Sequence, residues 1–582
     1  MADIDLSFLT PAQGFRIIGD AAGDNASLSV SNAGDVNGDG IDDLIVGAHR
    51  GDDGGNEAGE AYVVYGRNDP SRTRGSLDLT GLSAADGFRI IGDAAGDFAG
   101  WSVSSAGDVN GYGIDDLIVG AVTGDDGGIS AGETYIIYGR NDPNRTRGPL
   151  DLTGLTAADG FIIIGDAAGD FAGISVSDAG DVNGDGIYDL IVGAYSGDDG
   201  GTDAGEAYVV YGKTGPRGAL DLTGLSAADG FRIIGDAAYD GAGRSVSIAG
   251  DVNGDGIDDL IVGAPNGDDG GNFAGEAYVI FGRNDPGRTR GPLDLTGLSA
   301  ADGFRIIGDT AGDLAGFSIS NAGDVNGDGI DDLIVGALFG DDGGTNAGAA
   351  YVIYGRSGGR SNLDLSTLTA ADGFRILGDA ANDYAGISVS SAGDINGDGI
   401  DDLIVGANQN DAGGTNAGAA YVIYGRNDPS GTRGPLDLTN LSSANGFRII
   451  GDAAGDNAGR SVSNAGDVNG DGLDDLIVGA TGNDAGGTDA GEAYVIYGAR
   501  TAPVITSNGG GATAAINVAE NTRAVTTVTA TDPDAGTVLA YSIAGGADAA
   551  RFTINASTGA LALPRHRTSR GVAMLTWTMS MR

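Results

Sequence analysis

A nine-residue acidic run recurs seven times along the chain. Its first copy reads Asp35-Val36-Asn37-Gly38-Asp39-Gly40-Ile41-Asp42-Asp43, and the other copies begin at residues 108, 181, 251, 324, 394 and 467. Successive copies start 70 or 73 residues apart, and self-similarity at so regular a period is typical of repeat architectures. The 582 residues are therefore expected to form mainly one array of seven equivalent units rather than several unrelated domains.

Each repeat contains short runs with the composition of β-strands. In the first repeat they span residues 28–34, 43–48 and 58–66, and Gly, Asn and Asp residues separate them. A fourth run, residues 87–92, follows after a longer connection. Four strands per repeat predict a propeller blade, and the residues beyond the usual length of a blade repeat are assigned to long loops. The predicted fold class is all-β, a seven-bladed β-propeller of four-stranded blades over residues 1–498.

The number of fourth runs indicates how the ring closes. Seven copies begin at Gly14, Gly87, Gly160, Gly230, Gly303, Gly373 and Gly446. The first copy precedes every acidic run, and no copy follows the third run of the last repeat. The N-terminal run is therefore expected to complete blade seven. This arrangement would close the ring without a disulfide and cover two sheet edges that would otherwise be open to aggregation.

This pattern resembles the FG-GAP repeats of integrin α-chain β-propellers. The Phe-Gly element of that family corresponds here to Phe98-Ala99-Gly100 and Asn457-Ala458-Gly459, and its Gly-Ala-Pro element is intact at Gly263-Ala264-Pro265. The resemblance covers residues 14–498. It implies a propeller whose cation-binding loop ends at the ninth position of the acidic run, and it implies that the face opposite these loops engages ligands.

The acidic run, which we call the acidic loop, has the chemistry of a calcium site. A Ca²⁺ ion takes six to eight oxygen ligands, and alternate positions of a tight loop turn their oxygens inward. In the first repeat these oxygens belong to the side chains of Asp35, Asn37, Asp39 and Asp43 and to the backbone carbonyl of Ile41. An EF-hand begins in the same way but needs a bidentate Glu at position 12 and helical flanks. Position 12 here is Val46.

Hairpin turns are the alternative explanation for the Asp-Gly and Asn-Gly pairs in the acidic loop. A turn accounts for the glycines and for one Asp. It does not account for four acids within nine residues in a repeated motif, because their mutual repulsion would oppose folding. Since the expected ligands are all protein oxygens, Ca²⁺ is favoured over Mg²⁺, which usually keeps several waters.

Six of the seven acidic loops have the complete ligand set. Beyond the first repeat, the expected metal ligands are Asp181, Asn183, Asp185, Ile187, Asp189, Asp251, Asn253, Asp255, Ile257, Asp259, Asp324, Asn326, Asp328, Ile330, Asp332, Asp394, Asn396, Asp398, Ile400, Asp402, Asp467, Asn469, Asp471, Leu473 and Asp475. In blade two Tyr112 replaces the acid at position 5, which leaves Asp108, Asn110 and Asp116. That site is expected to be weak or empty, so about six Ca²⁺ sites are expected to be competent.

Connections alternate between the two ends of the strands, which sorts the loops onto two faces. The acidic loops share one face with basic connections such as residues 67–75, whose arginines would partly balance the carboxylates. The opposite face carries acidic segments such as residues 51–55 and 92–97. We expect a protein or glycan ligand on this opposite face, with a merely solvated acidic surface as the alternative. The tripeptide Arg50-Gly51-Asp52 is better explained as drift of one repeat position than as an adhesion motif.

Composition and the inventory of reactive side chains exclude several other functions. The formal net charge of −51 argues against a nucleic-acid partner. The absence of Cys excludes disulfides and thiolate metal sites, and no apolar run is long enough to predict a membrane span. The repeats contain one His, His49, and no nucleophile with an evident base partner. The chain is therefore predicted not to be an enzyme, with no catalytic site and no cofactor other than Ca²⁺.

The sequence changes character after the last repeat. Residues 499–507 are expected to be a linker. Residues 508–563 resemble part of a cadherin-type β-sandwich, with Val518-Ala519-Glu520-Asn521 and Ala530-Thr531-Asp532-Pro533-Asp534 among its motifs. Residues 564–582 are basic and hold three of the four Met residues. This last stretch is interpreted as an aberrant tail left by a frameshift or a truncation.

Together these features predict a calcium-binding extracellular adhesion or recognition module in which Ca²⁺ rigidifies a propeller scaffold. Weak calcium modules are typical of the extracellular space, where calcium is millimolar. The start of the chain has neither a basic n-region nor an apolar h-region, so export by a leaderless or C-terminal-signal route is expected. The alternatives are the non-catalytic propeller of a larger secreted hydrolase and a structural surface-layer protein.

Overall fold

The computed structural model describes residues 1–500 continuously, and then residues 504–507, 514–515, 523–531, 539, 541–545, 552–563, 574–575 and 578–581. The chain divides into two compact units. The first comprises Met1–Ile395 and Ile400–Gly498, and the second comprises Asn396–Gly399 and Ala499–Arg582.

The first unit contains seven five-stranded sheets, which are the seven blades that the sequence predicts. In each blade four main strands are antiparallel neighbours, and the first strands of successive blades lie against one another. The main strands are Val30–Gly34, Asp43–Ala48, Glu60–Val64 and Gly87–Ile91 in blade one; Ala99–Gly107, Asp116–Ala121, Glu133–Ile137 and Gly160–Ile164 in blade two; Ser175–Gly180, Asp189–Ala194, Glu206–Val210 and Gly230–Ile234 in blade three; Ser245–Gly250, Asp259–Ala264, Glu276–Ile280 and Gly303–Ile307 in blade four; Ala315–Gly323, Asp332–Ala337, Ala349–Ile353 and Gly373–Leu377 in blade five; Ser388–Gly393, Asp402–Ala407, Ala419–Ile423 and Gly446–Ile450 in blade six; and Ala458–Gly466, Asp475–Ala480, Glu492–Ile496 and Gly14–Ile18 in blade seven. The all-β, seven-bladed fold class is confirmed.

The N-terminal strand completes blade seven, as the count of fourth runs predicts. Gly14–Ile18 pairs antiparallel with Glu492–Ile496, with Phe15 opposite Val495. Phe15 is 3% exposed and Ile17 is 1% exposed. The two ends of the propeller are therefore joined through a buried sheet rather than through a covalent link.

A fifth strand in every blade was not predicted from the sequence. Leu77–Asp78, from the long connection of blade one, pairs parallel with the fourth strand of blade seven. The 3₁₀ helix Leu79–Gly81 follows, and its N-cap Asp78 accepts a hydrogen bond from the backbone N–H of Thr80. We call each such strand and helix a strap, and each strap ties its own blade to the preceding one. The other straps are Ile4–Asp5 with Leu6–Phe8, Leu150–Asp151 with Leu152–Gly154, Leu220–Asp221 with Leu222–Gly224, Leu293–Asp294 with Leu295–Gly297, Leu363–Asp364 with Leu365–Thr367, and Leu436–Asp437 with Leu438–Asn440.

Apolar side chains pack between neighbouring blades. All six residues of the second strand Asp43–Ala48 are buried, as expected for a strand covered on both faces. The blades approach so closely that a Cβ on Gly47 would lie 2.1 Å from the carbonyl oxygen of Gly100. Gly100, the glycine of the Phe-Gly element, has a φ of +84° and would itself place a Cβ 2.1 Å from the carbonyl oxygen of Glu60. The motif glycine is therefore required by the contact between blades.

The second unit contains several small sheets among its described residues. The paired strands are Ala524–Thr527 and Thr553–Ile554 with Ala560–Ala562, Tyr541–Gly545 with Thr578–Met581, Val504–Ile505 with Ala530–Thr531, and Ala514–Ala515 with Met574–Leu575. Val528, Phe552 and Leu561 form a small buried cluster. The cadherin-type motifs at residues 518–521 and 532–534 lie outside the described residues. The linker, the partial sandwich and the aberrant tail stay predictions.

Candidate metal centres

Each acidic loop connects the first strand of a blade to the second strand. In blade one, Oδ1 of Asp35 accepts hydrogen bonds from the N–H groups of Gly38 at 2.7 Å and Asp39 at 3.0 Å, and Oδ2 accepts one from Gly40 at 2.7 Å. Gly38 and Gly40 have φ angles of +74° and +85°, which glycine adopts without a steric cost. Position 1 therefore organises the loop around its carboxylate.

Positions 3 and 9 meet inside the loop. Nδ2 of Asn37 donates to Oδ2 of Asp43 at 2.8 Å, and the N–H of Gly66 donates to Oδ1 of Asp43 at 2.9 Å. The Oδ1 atom of this asparagine is buried without a hydrogen-bond partner in five loops, at Asn37, Asn110, Asn183, Asn326 and Asn469. A buried polar atom without a partner is costly, and amide and carboxylate oxygens are the ligands that Ca²⁺ prefers. The residues therefore fit a bound calcium ion.

The aspartates at position 9 are deeply buried. All seven are 0% exposed, at Asp43, Asp116, Asp189, Asp259, Asp332, Asp402 and Asp475. Desolvation raises the pKa to about 8 at Asp43, Asp116, Asp189, Asp259 and Asp332. It also raises the pKa of Asp475. Burial disfavours the charged carboxylate, and a nearby cation would favour it.

The aspartates at position 5 differ between blades. Oδ2 of Asp39 lies 2.7 Å from Nη2 of Arg145, which belongs to the basic connection of blade two. The equivalent pairs, both at 2.7 Å, are Asp185 with Arg288 and Asp471 with Arg72. Within the described residues, Asp255 and Asp328 have no ion pair. The arginines of the basic connections therefore balance part of the loop charge, as their shared face predicts.

Position 7 supplies a backbone donor to position 5. The N–H of Ile41 donates to Oδ1 of Asp39 at 3.2 Å. Ile187, Ile257, Ile330 and Leu473 donate in the same way to their own position 5 aspartates. In blade six the N–H of Asp398 donates to Oδ1 of Asn396 at 3.1 Å, and the N–H of Asp394 donates to Asp474. The carbonyl at position 7 as a metal ligand stays a prediction, as does the complete ligand set.

Blade two lacks the acid at position 5. The N–H of Tyr112 still donates to Oδ1 of Asp108 at 2.8 Å, but the Tyr112 side chain is 64% exposed and offers no carboxylate. Asn110 and Asp116 keep the contact of positions 3 and 9, at 2.8 Å and 2.7 Å. The loop therefore folds as its relatives do while carrying one carboxylate fewer.

Position 8 has a role that was not predicted from the sequence. Oδ2 of Asp115, in blade two, accepts a hydrogen bond at 2.9 Å from the N–H of Asp35, in blade one. The same bond between neighbouring blades is made by Asp42, Asp258, Asp331, Asp401 and Asp474. In blade three the residue is Tyr188. The repeated Asp at position 8 can be seen in the sequence. It was given no role because the expected metal ligands occupy only the odd-numbered positions of the loop.

A second set of carboxylates lies at the joints between blades on the opposite face. Each joint cluster combines two aspartates that follow a fourth strand with a glutamate that begins the next blade's third strand. Their ligand oxygens lie within 4.8 Å of one another. The clusters are Asp20, Asp24 and Glu60; Asp93, Asp97 and Glu133; Asp166, Asp170 and Glu206; and Asp236, Asp240 and Glu276. The sequence predicted acidic segments on this face. It did not predict the part played by the glutamates, because each glutamate belongs to a different blade from the aspartates that it meets.

An axial channel is lined by residues near the start of the first strand of all seven blades. It has a volume of about 190 Å³, and its wall carries at equivalent positions Leu28, Trp101, Ile174, Arg244, Phe317, Ile387 and Arg460. The guanidinium carbon of Arg244 lies 4.9 Å from the centre of the Phe317 ring. Burial and the charge of Arg460 lower the pKa of Arg244. Within the described residues, neither arginine has an ion pair.

Seven blades, each with an acidic loop between its first two strands, define a repeat propeller with a regular set of carboxylate loops. The FG-GAP repeat family matches residues 28–64, 174–210, 242–280, 315–353, 385–423 and 458–496. Integrin alpha pat-2 of Caenorhabditis elegans is 32% identical over 285 residues, covering 47% of this chain and 20% of that protein. Integrin alpha-5 of Xenopus laevis is 30% identical over 233 residues, covering 38% and 19%. The chain is an integrin-α-like FG-GAP propeller.

Other similarities cover less of the chain or concern its shape alone. Phosphatidylinositol-glycan-specific phospholipase D of Homo sapiens is 34% identical over 179 residues, covering 30% of this chain and 19% of that protein. A crystal structure of BBS1N in complex with ARL6DN aligns with a TM-score of 0.40 and 10% identity, covering 83% of this chain and 95% of that chain. The chain spans about one fifth of the length of the integrin relatives it matches. None of the helices among the described residues has the length and apolar character needed to cross a membrane.

Proposed function

We propose that the propeller is an extracellular adhesion or recognition module that binds Ca²⁺ in six of its seven acidic loops. The observation that carries this proposal is the buried, unpartnered amide oxygen of Asn37, Asn183, Asn326 and Asn469. Each lies beside a fully buried carboxylate. A calcium ion would provide the missing partner and would neutralise acids that otherwise repel one another.

The ligands that we assign are positions 1, 3, 5 and 9 with the carbonyl at position 7. The loop joins the first strand, which lines the axial channel, to the second strand, whose residues are all buried. A bound ion would therefore fix the inner edge of each blade. Its role is structural rather than catalytic, because the assigned oxygens are held by hydrogen bonds within the loop and belong to a repeated scaffold.

We place the ligand-binding surface on the opposite face, at the mouth of the axial channel. Arg244 and Arg460 are two positively charged side chains that line the channel together with Trp101 and Phe317. In a chain with a net charge of −51, such a patch favours a partner that offers an acidic or hydroxyl-rich group to the channel. Integrin alpha relatives support a protein ligand, and a glycan is the alternative partner.

Binding assays with matrix proteins and glycans test this assignment. The full chain in millimolar Ca²⁺ is expected to bind at least one of them. The double variant Arg244→Ser/Arg460→Ser is expected to weaken binding at least about tenfold, because charged contacts at an interface control affinity and specificity. Arg140→Ser removes an exposed arginine from the loop face and is the matched control. Equal binding by the double variant would overturn the channel assignment, and absence of binding would favour a structural surface-layer role.

A second candidate is the non-catalytic propeller of a larger secreted hydrolase. The 34% identity to phosphatidylinositol-glycan-specific phospholipase D favours it. This candidate predicts hydrolysis of a phosphatidylinositol-glycan substrate by a longer product of the same gene and no hydrolysis by the present chain. Absence of activity in the longer product would exclude it.

A further inference from the structure

The joint clusters differ in how their negative charge is balanced. In blade one Arg89, on the fourth strand, forms an ion pair with Asp53, and its Nη1 atom lies 3.7 Å from Asp20 and 3.9 Å from Glu60. Arg232 makes the equivalent contacts at 3.3 Å to Asp166 and 3.9 Å to Glu206. Arg305 makes them at 3.1 Å to Asp236 and 3.6 Å to Glu276. An arginine therefore serves as the counter-ion at three of the four joint clusters.

The joint between blades one and two has no such arginine. In blade one, Arg89 pairs with Tyr62 of the neighbouring strand. The equivalent position in blade two is residue 162, which pairs with Tyr135. It is Ile162. Within the described residues, Asp93, Asp97 and Glu133 have no ion pair with any Lys, Arg or His. The cluster therefore keeps its carboxylates without a protein counter-ion.

Two of the three carboxylates of this joint lack hydrogen-bond donors among the described residues. Asp97 is 6% exposed, and no donor to its carboxylate is found among the described residues. Oδ1 of Asp93 is buried and unpartnered, as are the equivalent atoms of Asp20, Asp166 and Asp236 at the sibling joints. Glu133 is held in place, because it accepts hydrogen bonds from the hydroxyl of Tyr135 at 2.7 Å and from the N–H of Asp126 at 2.8 Å. An oriented carboxylate thus lies within 4.8 Å of two aspartate carboxylates, and the missing arginine is what sets this joint apart from its siblings.

In blades six and seven an asparagine side chain donates hydrogen bonds to the aspartates equivalent to Asp93 and Asp97. Asn410 occupies the position of Gly124, and its Nδ2 atom donates to Asp383 at 2.5 Å and to Asp379 at 3.1 Å. Asn483 bonds the equivalent aspartates, Asp456 at 2.7 Å and Asp452 at 3.3 Å. At Gly124 a Cβ would lie 2.4 Å from the carboxyl carbon of Glu133. Blade two therefore has neither the amide nor the arginine that its relatives use.

We propose that the joint between blades one and two binds a divalent cation, Ca²⁺ by preference, through Asp93, Asp97 and Glu133. Calcium–oxygen distances of about 2.3–2.6 Å place opposite ligands roughly 4.6–5.2 Å apart, and the oxygens here lie within 4.8 Å of one another. A cavity of about 300 Å³ lined by Asp93, Asp126 and Ile162 borders the site. It offers an entry path and room for water ligands. This site is separate from the acidic loops, and its case does not depend on them.

The number of bound calcium ions tests this site. Ile162→Arg is expected to supply the counter-ion of the sibling joints and to reduce the equilibrium Ca²⁺ stoichiometry by one ion per chain. Ile162→Val is the matched control and is expected to leave the stoichiometry unchanged. Asp97→Asn is expected to remove the same ion, whereas Asp240→Asn, at the joint that Arg305 already balances, is expected to remove none.

Folding of each variant is checked by circular dichroism and by thermal unfolding in chelator. Because Asp97→Asn removes repulsion, it is expected not to lower the midpoint in chelator. Unchanged stoichiometry in both Ile162→Arg and Asp97→Asn would overturn the proposal. Failure of the acidic loops to bind Ca²⁺ would instead lower the count in all variants alike, so the two proposals fail in distinguishable ways.

Discussion

Single positions within the repeat distinguish one acidic loop from another. Position 9 is a buried aspartate in every blade, whereas position 5 is an ion-paired aspartate at Asp39, Asp185 and Asp471 and a tyrosine in blade two. Equivalent positions in different blades can therefore be compared with one another. A position that changes in one blade can be converted to the residue found in the others.

Tyr112→Asp is expected to add one calcium ion per chain. The variant restores the fourth side-chain ligand to a loop that already has the fold of its relatives, with Asp108 and Asp116 in place. Equilibrium binding measured by calorimetry would show the gain. Tyr112→Phe, which adds no oxygen ligand, is expected to leave the count unchanged. Equal stoichiometry in Tyr112→Asp and the parent chain would contradict the assignment of position 5 as a ligand.

The acidic loops could be found from the sequence because all their ligands lie within nine consecutive residues. The joint clusters could not, because Asp93 and Glu133 belong to different blades and meet only when the blades pack. The same holds for the pair Asp39 and Arg145, which are 106 residues apart. Local spacing predicts local sites, whereas contacts between repeats depend on the geometry of the ring.

The N-terminal strand is the element on which ring closure depends. Phe15 lies opposite Val495 in the same register that Phe231 holds opposite Val209 in blade three. Their surroundings also match. Arg74 lies 4.3 Å from the Phe15 ring centre and Arg290 lies 4.5 Å from that of Phe231, and each phenylalanine is 6.1 Å from a tyrosine ring. Blade seven is thus packed like a blade made from continuous chain.

Phe15→Ala and Phe231→Ala are expected to lower the free energy of unfolding by similar amounts, about 3–5 kcal/mol each. Both remove a phenylalanine that is at most 3% exposed and leave a comparable cavity. Denaturant unfolding of the full chain would provide both values. A loss of less than about 1 kcal/mol for Phe15→Ala beside a full loss for Phe231→Ala would mean that the N-terminal strand is not needed to close the ring.

The order of the strands and the closure of the ring could be predicted from the sequence, and they followed from its apolar runs and from the number of fourth strands. The straps did not, because a two-residue strand such as Leu77–Asp78 is too short to show any period. Its buried neighbour Leu79 is the sequence signal that could have been used, since a leucine recurs there in every repeat. Much of the surplus length of the repeat is thus used to tie one blade to the next.

The propeller concentrates carboxylates on both faces, and the whole chain carries a formal net charge of −51. Such self-repulsion opposes a compact state. The arginines of the basic connections and of the joints offset part of it locally, and the acidic loops and the blade-two joint keep buried acids for cations to neutralise. Calcium would therefore act on the stability of the ring as a whole, while recognition is assigned to the channel mouth on the opposite face.

Thermal unfolding of the full chain in millimolar Ca²⁺ and in excess chelator, at matched ionic strength, tests whether Ca²⁺ stabilises the folded propeller. A ligand that binds only the folded state raises its stability by mass action, and the matched salt separates binding from charge screening. We predict a midpoint at least about 5 °C higher in Ca²⁺ than in chelator, restored when Ca²⁺ is returned. Identical midpoints under the two conditions would mean that the folded chain does not bind Ca²⁺ in its acidic loops.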